Sequence, residues 1–187
     1  MKKELFYNMV MCLRRKVFAH ATSIFEIDIG FFKKFNVKVL MMDLDNTLDS
    51  YKLYTPTDRA RAFIETLIQN DIQPFIVSNN RGKRVSTYAK DVDVEYICNC
   101  GKPFPFKINK YIKNHNLDRN KVMLVGDQMM TDVAAGNNAK IRVVLTDKIV
   151  KEDQWTTHIN RIFGRPIRKH QIKKGRMPDW RTLYGKN

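Results

Sequence analysis

From about residue 36 to residue 147, short apolar runs rich in β-branched residues alternate with stretches of helical periodicity, and few folds satisfy that alternation. A strand, a helix and a second strand in succession return the chain parallel to itself, so the repeat predicts a parallel sheet with helices on its faces. The expected strands are Val37 to Met42, Pro74 to Val77, Val94 to Ile97, Val122 to Val125 and Val143 to Leu145. Between the first two, Ala60, Phe63, Ile64, Leu67 and Ile68 recur at helical spacing behind the start signal Thr55-Pro56-Thr57. Helices are also expected over Gly82 to Lys90, Pro105 to Asn116 and Thr131 to Asn138. The prediction is an α/β chain: a three-layer sandwich around a central, mostly parallel sheet.

A length of 187 residues with 43% hydrophobic content suits one buried core. We place that core at residues 36–150, preceded by an N-terminal helical extension over 1–35. A basic segment follows over 151–187, with a helix around Trp155 to Phe163 and then a tail.

Ligands of a doubly wound sheet sit beyond the carboxyl ends of its strands, so the polar residues just after each strand are the candidates for chemistry. The first strand runs into Asp43 and Asp45, the second into Ser78-Asn79, the third into Lys102, and the fourth into Gly126-Asp127 with Asp132 following. Asp-x-Asp alone is weak, because loop aspartates commonly form turns. Four carboxylates on one rim are different, since they repel unless a cation sits among them, and hard oxygen ligands of this kind suit Mg²⁺. Phosphoryl transfer needs such positive charge, open here to the metal and Lys102 together.

The four segments resemble, in order, the signatures of the haloacid dehalogenase (HAD) superfamily of phosphatases over roughly residues 37–147. Asp43-Leu44-Asp45-Asn46-Thr47 is similar to that family's Asp-x-Asp-x-Thr motif. The resemblance implies that Asp43 is the nucleophile that forms an aspartyl-phosphate and that Asp45 is the general acid and then the base. It also implies that the Asp45 carbonyl faces the metal and that Thr47 helps to hold the loop. Ser78 matches the second motif and implies a hydroxyl donor to the phosphoryl group, supported by the Asn79 amide. Lys102 looks like the third motif, where an ammonium offsets nucleophile and phosphate. Gly126-Asp127-Gln128-Met129-Met130-Thr131-Asp132 matches the fourth, implying Mg²⁺ ligation by Asp127 with Asp132 assisting; as an alternative, Asp132 caps the helix that starts beside it.

The gaps from Asp43 to Ser78 and from Ser78 to Lys102 are each filled by a helix and its connections, which leaves no room for a cap domain. The expected fold is therefore a HAD-like Rossmannoid sandwich with an open site, whose substrate is presented on something large. Within the capless group (subfamily IIIA) the chain looks like the YqeG family, which is related to phosphatidylglycerophosphate phosphatases. Ile27-Asp28-Ile29, Met42 to Leu48, Gly126 through Gly136-Asn137 and Asn160-Arg161 carry that likeness, while the chain departs from it around Ala19 to Thr22 and in its long basic tail.

The formal net charge of +15 is uneven: residues 1–20 carry +4, residues 151–187 carry +7, and the long middle only +4. Basic ends on a near-balanced core predict an anionic surface as partner. Juxtaposed Lys and Arg hold proteins on anionic lipid. The implied substrate is the phosphomonoester of an anionic phospholipid, phosphatidylglycerophosphate, with peripheral membrane contact at the inner face of the membrane of a cytoplasmic protein. Two alternatives stand beside it: a phosphatase of protein, nucleotide or nucleic-acid ends, and a basic RNA- or ribosome-associated module on the same fold. Stacking aromatics are sparse in the tail, with only Phe163, Trp180 and Tyr184, which weighs against nucleic acid.

No run of 18 apolar residues occurs. Lys2-Lys3, the apolar run Leu5 to Leu13 and Ala19-His20-Ala21 imitate a signal peptide. Arg14-Arg15-Lys16 falls where such a peptide has no charge cluster, which leaves an amphipathic or docking helix as one reading and packing of Leu5, Phe6, Met9, Val10 and Leu13 onto the domain as the favoured one. Cys12, Cys98 and Cys100 make neither a disulfide framework nor a four-ligand zinc site, and the last two read as buried or loop thiols. Asp49 is expected to be a turn residue.

Overall fold

The computed structural model describes residues 15–149, 168, 172 and 174–185. Six strands, β1 (Ala19–Ala21), β2 (Val39–Met42), β3 (Gln73–Val77), β4 (Glu95–Ile97), β5 (Val122–Gly126) and β6 (Arg142–Thr146), form one sheet. Their order is β1-β6-β5-β2-β3-β4, and every pairing is parallel. The helices are α1 (Ile29–Lys34), α2 (Asp58–Gln69), α3 (Lys83–Asp91), α4 (Phe106–Asn114), α5 (Ala134–Asn138) and α6 (Trp180–Tyr184).

Strand residues alternate between two apolar layers, as the period of two requires. Leu40, Met42, Ile76 and Val125 meet Phe31 of α1, Ile64 of α2, Tyr88 of α3 and Trp180 of α6. Val39, Met41, Phe75 and Leu124 meet Ile108 and Ile112 of α4 and Ala135 of α5. Burial on both faces explains why the strands read as continuous apolar runs. Thr57 starts α2 by accepting the Ala60 N–H at its side-chain oxygen, 3.3 Å away, as the start signal predicts. Ile68, counted with the apolar face of that helix, is instead 53% exposed.

The five expected strands are all present, and the sheet gains a sixth. Residues 1–35, expected as a helical extension, contribute edge strand β1, paired with β6 from Ala19↔Val144 to Ala21↔Thr146, as well as helix α1. Three residues are too few to show a periodicity, and the pairing depends on β6, more than 120 residues away. A second correction concerns the basic tail. Met177 and Trp180 are buried, and the His20 N–H donates to Pro178 O at 2.8 Å, so this stretch packs beside β1. The apolar residues Leu5 to Leu13 and the expected helix Trp155 to Phe163 lie outside the described residues.

Residues 43 to 78 and 78 to 102 contain only loops, α2, β3, α3 and β4, so neither gap holds a cap domain. Cys98 lies just beyond β4 and Cys100 is buried; both thiols are free. No helix among the described residues is long and apolar enough to cross a membrane.

Candidate active site

β2 ends at Met42, and the Asp43 N–H donates to Val125 O at 2.9 Å, which fixes Asp43 against the carboxyl end of β5. The chain then turns sharply. Asn46 adopts φ 67°, a left-handed conformation that Asn tolerates better than most residues, and the Leu48 and Asp49 amides both donate to Leu44 O. Asp49 does more than turn the chain. Its carboxylate accepts the Thr57 N–H at 3.0 Å, the Thr57 hydroxyl at 2.9 Å and the Tyr88 hydroxyl at 2.6 Å, and so ties the Asp43 loop to α2 and α3. Burial, then that hydrogen bond, push the Tyr88 phenol pKa up and keep the donor protonated.

The carboxyl ends of β2, β4 and β5 bring Asp43, Lys102, Asp127 and Asp132 together, all buried. Lys102 Nζ donates to Asp43 Oδ1 at 2.6 Å, to Asp132 Oδ1 at 2.6 Å and to Val77 O at 3.1 Å, which uses all three of its protons. Burial works against this ammonium, but Asp132 and Asp43 outweigh it and raise its pKa. Burial likewise pushes the Asp43 carboxyl up to about 7, with Lys102 opposing and Asp132 reinforcing. Burial, then Asp132 and Asp43, lift Asp127 well above the usual carboxylate range.

Fully ionised, three carboxylates against one ammonium would carry two negative charges in excess, which is why burial and mutual repulsion hold Asp43 and Asp127 toward their protonated forms. Asp43, Asp127 and Asp132 each offer an oxygen within 4.8 Å of the others. Both Asp127 oxygens, the Asn46 side-chain oxygen and the Thr47 hydroxyl are buried without a hydrogen-bond partner. Buried polar atoms are rarely left so, and an orphaned carboxylate among two others fits a divalent cation held by oxygen. The expected loop-holding part of Thr47 is therefore not played by its hydroxyl. Asp132 does not cap the helix beside it: neither the Met129–Val133 π-helical turn nor α5 starts with a side-chain cap bond, and Asp132 Oδ2 instead accepts the Gln128 N–H at 3.1 Å across that turn. Gly126 permits this approach: a Cβ there would lie 2.4 Å from Asp132 Cγ.

The Ser78 hydroxyl donates to Asp45 Oδ2 at 3.2 Å and accepts the Asn80 N–H at 3.0 Å. The Asn79 side chain is committed to Lys102, donating to its carbonyl and accepting its amide, each at 2.8 Å, and so braces the segment that delivers the ammonium. Asp45 stands apart from the three clustered carboxylates. Arg84 Nη1 donates to Asp45 Oδ1 at 2.5 Å, while Nε and Nη2 donate to Leu53 O at 2.6 Å and Ser50 O at 2.9 Å. Arg84 is 6% exposed and carries no sequence expectation. A signal was present: Arg84 opens a helix, where the dipole disfavours a cation, so it calls for a carboxylate nearby.

The parallel sheet and the carboxylate-lysine cluster at its carboxyl rim define the molecule as a HAD-like phosphatase. A HAD-hydrolase-like family model matches residues 99–162, which include Lys102, Asp127 and Asp132. Probable phosphatase YqeG of Bacillus subtilis (strain 168) is 31% identical over 153 residues, 82% of this chain and 89% of that protein. The chain belongs to the YqeG family of HAD-like phosphatases. Among solved structures, 3-deoxy-D-manno-octulosonate 8-phosphate phosphatase from Moraxella catarrhalis, in complex with magnesium, phosphate and KDO, shares the fold. It aligns at TM-score 0.51 and 16% identity, covering 76% of this chain and 92% of that one. A hypothetical protein of Xanthomonas campestris aligns at TM-score 0.50 and 14% identity, covering 72% and 80%.

Proposed function

We propose that this phosphatase is a Mg²⁺-dependent phosphomonoesterase of the capless subfamily IIIA, with Asp43 as nucleophile and phosphatidylglycerophosphate as substrate. The observation that carries the chemistry is the cluster in which Lys102 bridges Asp43 and Asp132 beside the unpartnered Asp127 carboxylate. Asp43, Asp127 and Asp132 would hold the ion, joined by the Asp45 carbonyl. Its positive charge would let these carboxylates ionise together and would offset the phosphoryl oxygens.

Asp43 Oδ1 is occupied by Lys102, which leaves Oδ2 to attack phosphorus as the bond to the leaving alcohol breaks. Lys102, held protonated, stabilises the charge on nucleophile and phosphoryl group without moving a proton. The Ser78 hydroxyl turns from Asp45 to donate to a phosphoryl oxygen. Asp45 gives its proton to the leaving oxygen, then takes one from the water that hydrolyses the aspartyl-phosphate. The lipid substrate is supported by the resemblance of the sequence to phosphatidylglycerophosphate phosphatases, by a site without a cap, and by basic terminal segments suited to an anionic membrane.

The test is phosphate release from phosphatidylglycerophosphate, a soluble alkyl phosphate and p-nitrophenyl phosphate, with and without Mg²⁺, by the native chain and by Asp43→Asn. We expect Mg²⁺-dependent turnover favouring the lipid and its loss in Asp43→Asn. Hydrolysis unchanged by the substitution would refute the mechanism, and no preference for the lipid would refute the substrate.

A further inference from the structure

Seven large apolar side chains are exposed among the described residues, and five of them lie on the loops, or at the start of α4, that rim the catalytic cleft. Leu53 (37% exposed) and Tyr54 (61%) belong to the loop after Asp43, Phe104 (60%) and Phe106 (74%) follow Lys102, and Ile149 (45%) follows β6. Each of the three segments is anchored to the site through one backbone contact. Leu53 O accepts Arg84 Nε, the guanidinium that also holds Asp45. The Phe104 N–H donates to Gly101 O at 2.9 Å, one residue from Lys102, and the Ile149 N–H donates to Asn46 O at 3.1 Å. Phe104 and Phe106 stack on each other, centroids 6.0 Å apart and planes 11° apart, with both rings still open to solvent.

Exposed apolar side chains scattered singly mean little, but their concentration around one cleft marks an interaction surface. The charge between them names the partner. Residues 50–56, 79–83 and 103–107 carry Lys52, Arg81, Lys83 and Lys107 and no carboxylate, while beside Ile149 the charges of Asp147 and Lys148 balance. Aromatic and aliphatic tips among cations are what inserts into the headgroup region of an anionic bilayer. The tips sit on three separate segments, and a fluid surface admits separated tips where a folded partner would need a matching contour.

We infer that this rim is a membrane-docking face that seats Leu53, Tyr54, Phe104, Phe106 and Ile149 in an anionic bilayer, with the Asp43 cleft turned toward the lipid headgroups. The inference deepens, and rests on, the reading of a lipid-borne phosphomonoester as substrate. It assigns bilayer contact to the catalytic end of the sheet itself, in addition to the basic termini.

The experiment is co-sedimentation of the full chain with vesicles of phosphatidylcholine, with and without phosphatidylglycerol, for the native protein and for Phe104→Ser with Phe106→Ser. These rings are largely exposed and stack on each other, so turnover of p-nitrophenyl phosphate in solution should be unchanged. Binding to the anionic vesicles should fall about tenfold or more. Arg81→Glu with Lys107→Glu should weaken the same binding, and it supplies the result should the phenylalanine variant not fold. Unaltered vesicle binding by these variants would overturn the docking face, as would a native protein that ignores vesicles, the result expected of a rim made for a protein partner. The two readings separate cleanly. Variant-sensitive vesicle binding without turnover of phosphatidylglycerophosphate would remove the substrate and keep the surface, whereas turnover of that lipid with variant-insensitive binding would do the reverse.

Discussion

The crowding of Asp43, Asp127 and Asp132 around the single ammonium of Lys102 should make this protein's stability depend on pH and Mg²⁺ together. In the metal-free protein the Asp43 carboxyl is pushed from 3.8 up to about 7, so ionising it in the fold costs about 4 kcal/mol. The folded chain then holds a proton that the unfolded chain has released. The associated stability is full below pH 4, declines as pH rises, and is lost above about pH 7. Between pH 6 and pH 8 this one group should remove about 1 kcal/mol, or about 2 to 4 °C in Tm for a chain of this size. Magnesium should act in the opposite sense. At a hundred times its Kd it adds about 2.7 kcal/mol, a rise of about 5 to 10 °C, larger at pH 8 than at pH 6 because protons compete for the same oxygens. Thermal melts at the two pH values, with chelator or with Mg²⁺, measure all of this without substrate. Asp127→Asn removes one charge from the crowded trio, so its metal-free Tm at pH 8 should rise and its Mg²⁺ response shrink. No Mg²⁺ shift in the native protein, or an equal shift in Asp127→Asn, would refute the assignment of this cluster as a cation site.

Two further substitutions probe how the site is held. Arg84→Met frees Asp45 from its ion pair, so turnover of an alkyl phosphate, whose leaving oxygen needs a proton, should fall about 100-fold, with p-nitrophenyl phosphate changing only a few-fold. In an Asp45→Asn background the same change should add nothing, and equal losses on both substrates would instead indicate a purely structural Arg84. Gly126→Ala places a methyl group against Asp132, so it should lower stability by about 1–3 kcal/mol in urea denaturation and abolish the Mg²⁺-dependent rise in Tm. An unchanged Mg²⁺ response in that variant would show that Asp132 does not depend on the close approach at Gly126.

The chain's fold class and much of its site could be read before any coordinates, for reasons that lie in local chemistry. Strands buried on both faces must be continuously apolar, and helices packed on them must show the 3.6 period, so β2, β3, β5 and β6 and helices α2, α3 and α4 announce themselves. Asp43, Ser78, Lys102 and Asp127 follow because a parallel sheet exposes the residues just past its strand ends on one rim. Where contacts join distant parts of the chain, the sequence is silent. Ala19–Ala21 becomes a strand only because β6 offers an open edge, and Met177 and Trp180 become core only beside it. The Arg84 pair with Asp45, the Asp49 tether to Thr57 and Tyr88, and the bracing of Lys102 by Asn79 are likewise decided by side chains 8 to 39 positions apart. The sequence by itself determined which groups could do phosphoryl chemistry, because motif and strand position are local properties. Only the tertiary structure decided how many charges share the cleft and which apolar side chains ring it, because burial and proximity are properties of the packed chain.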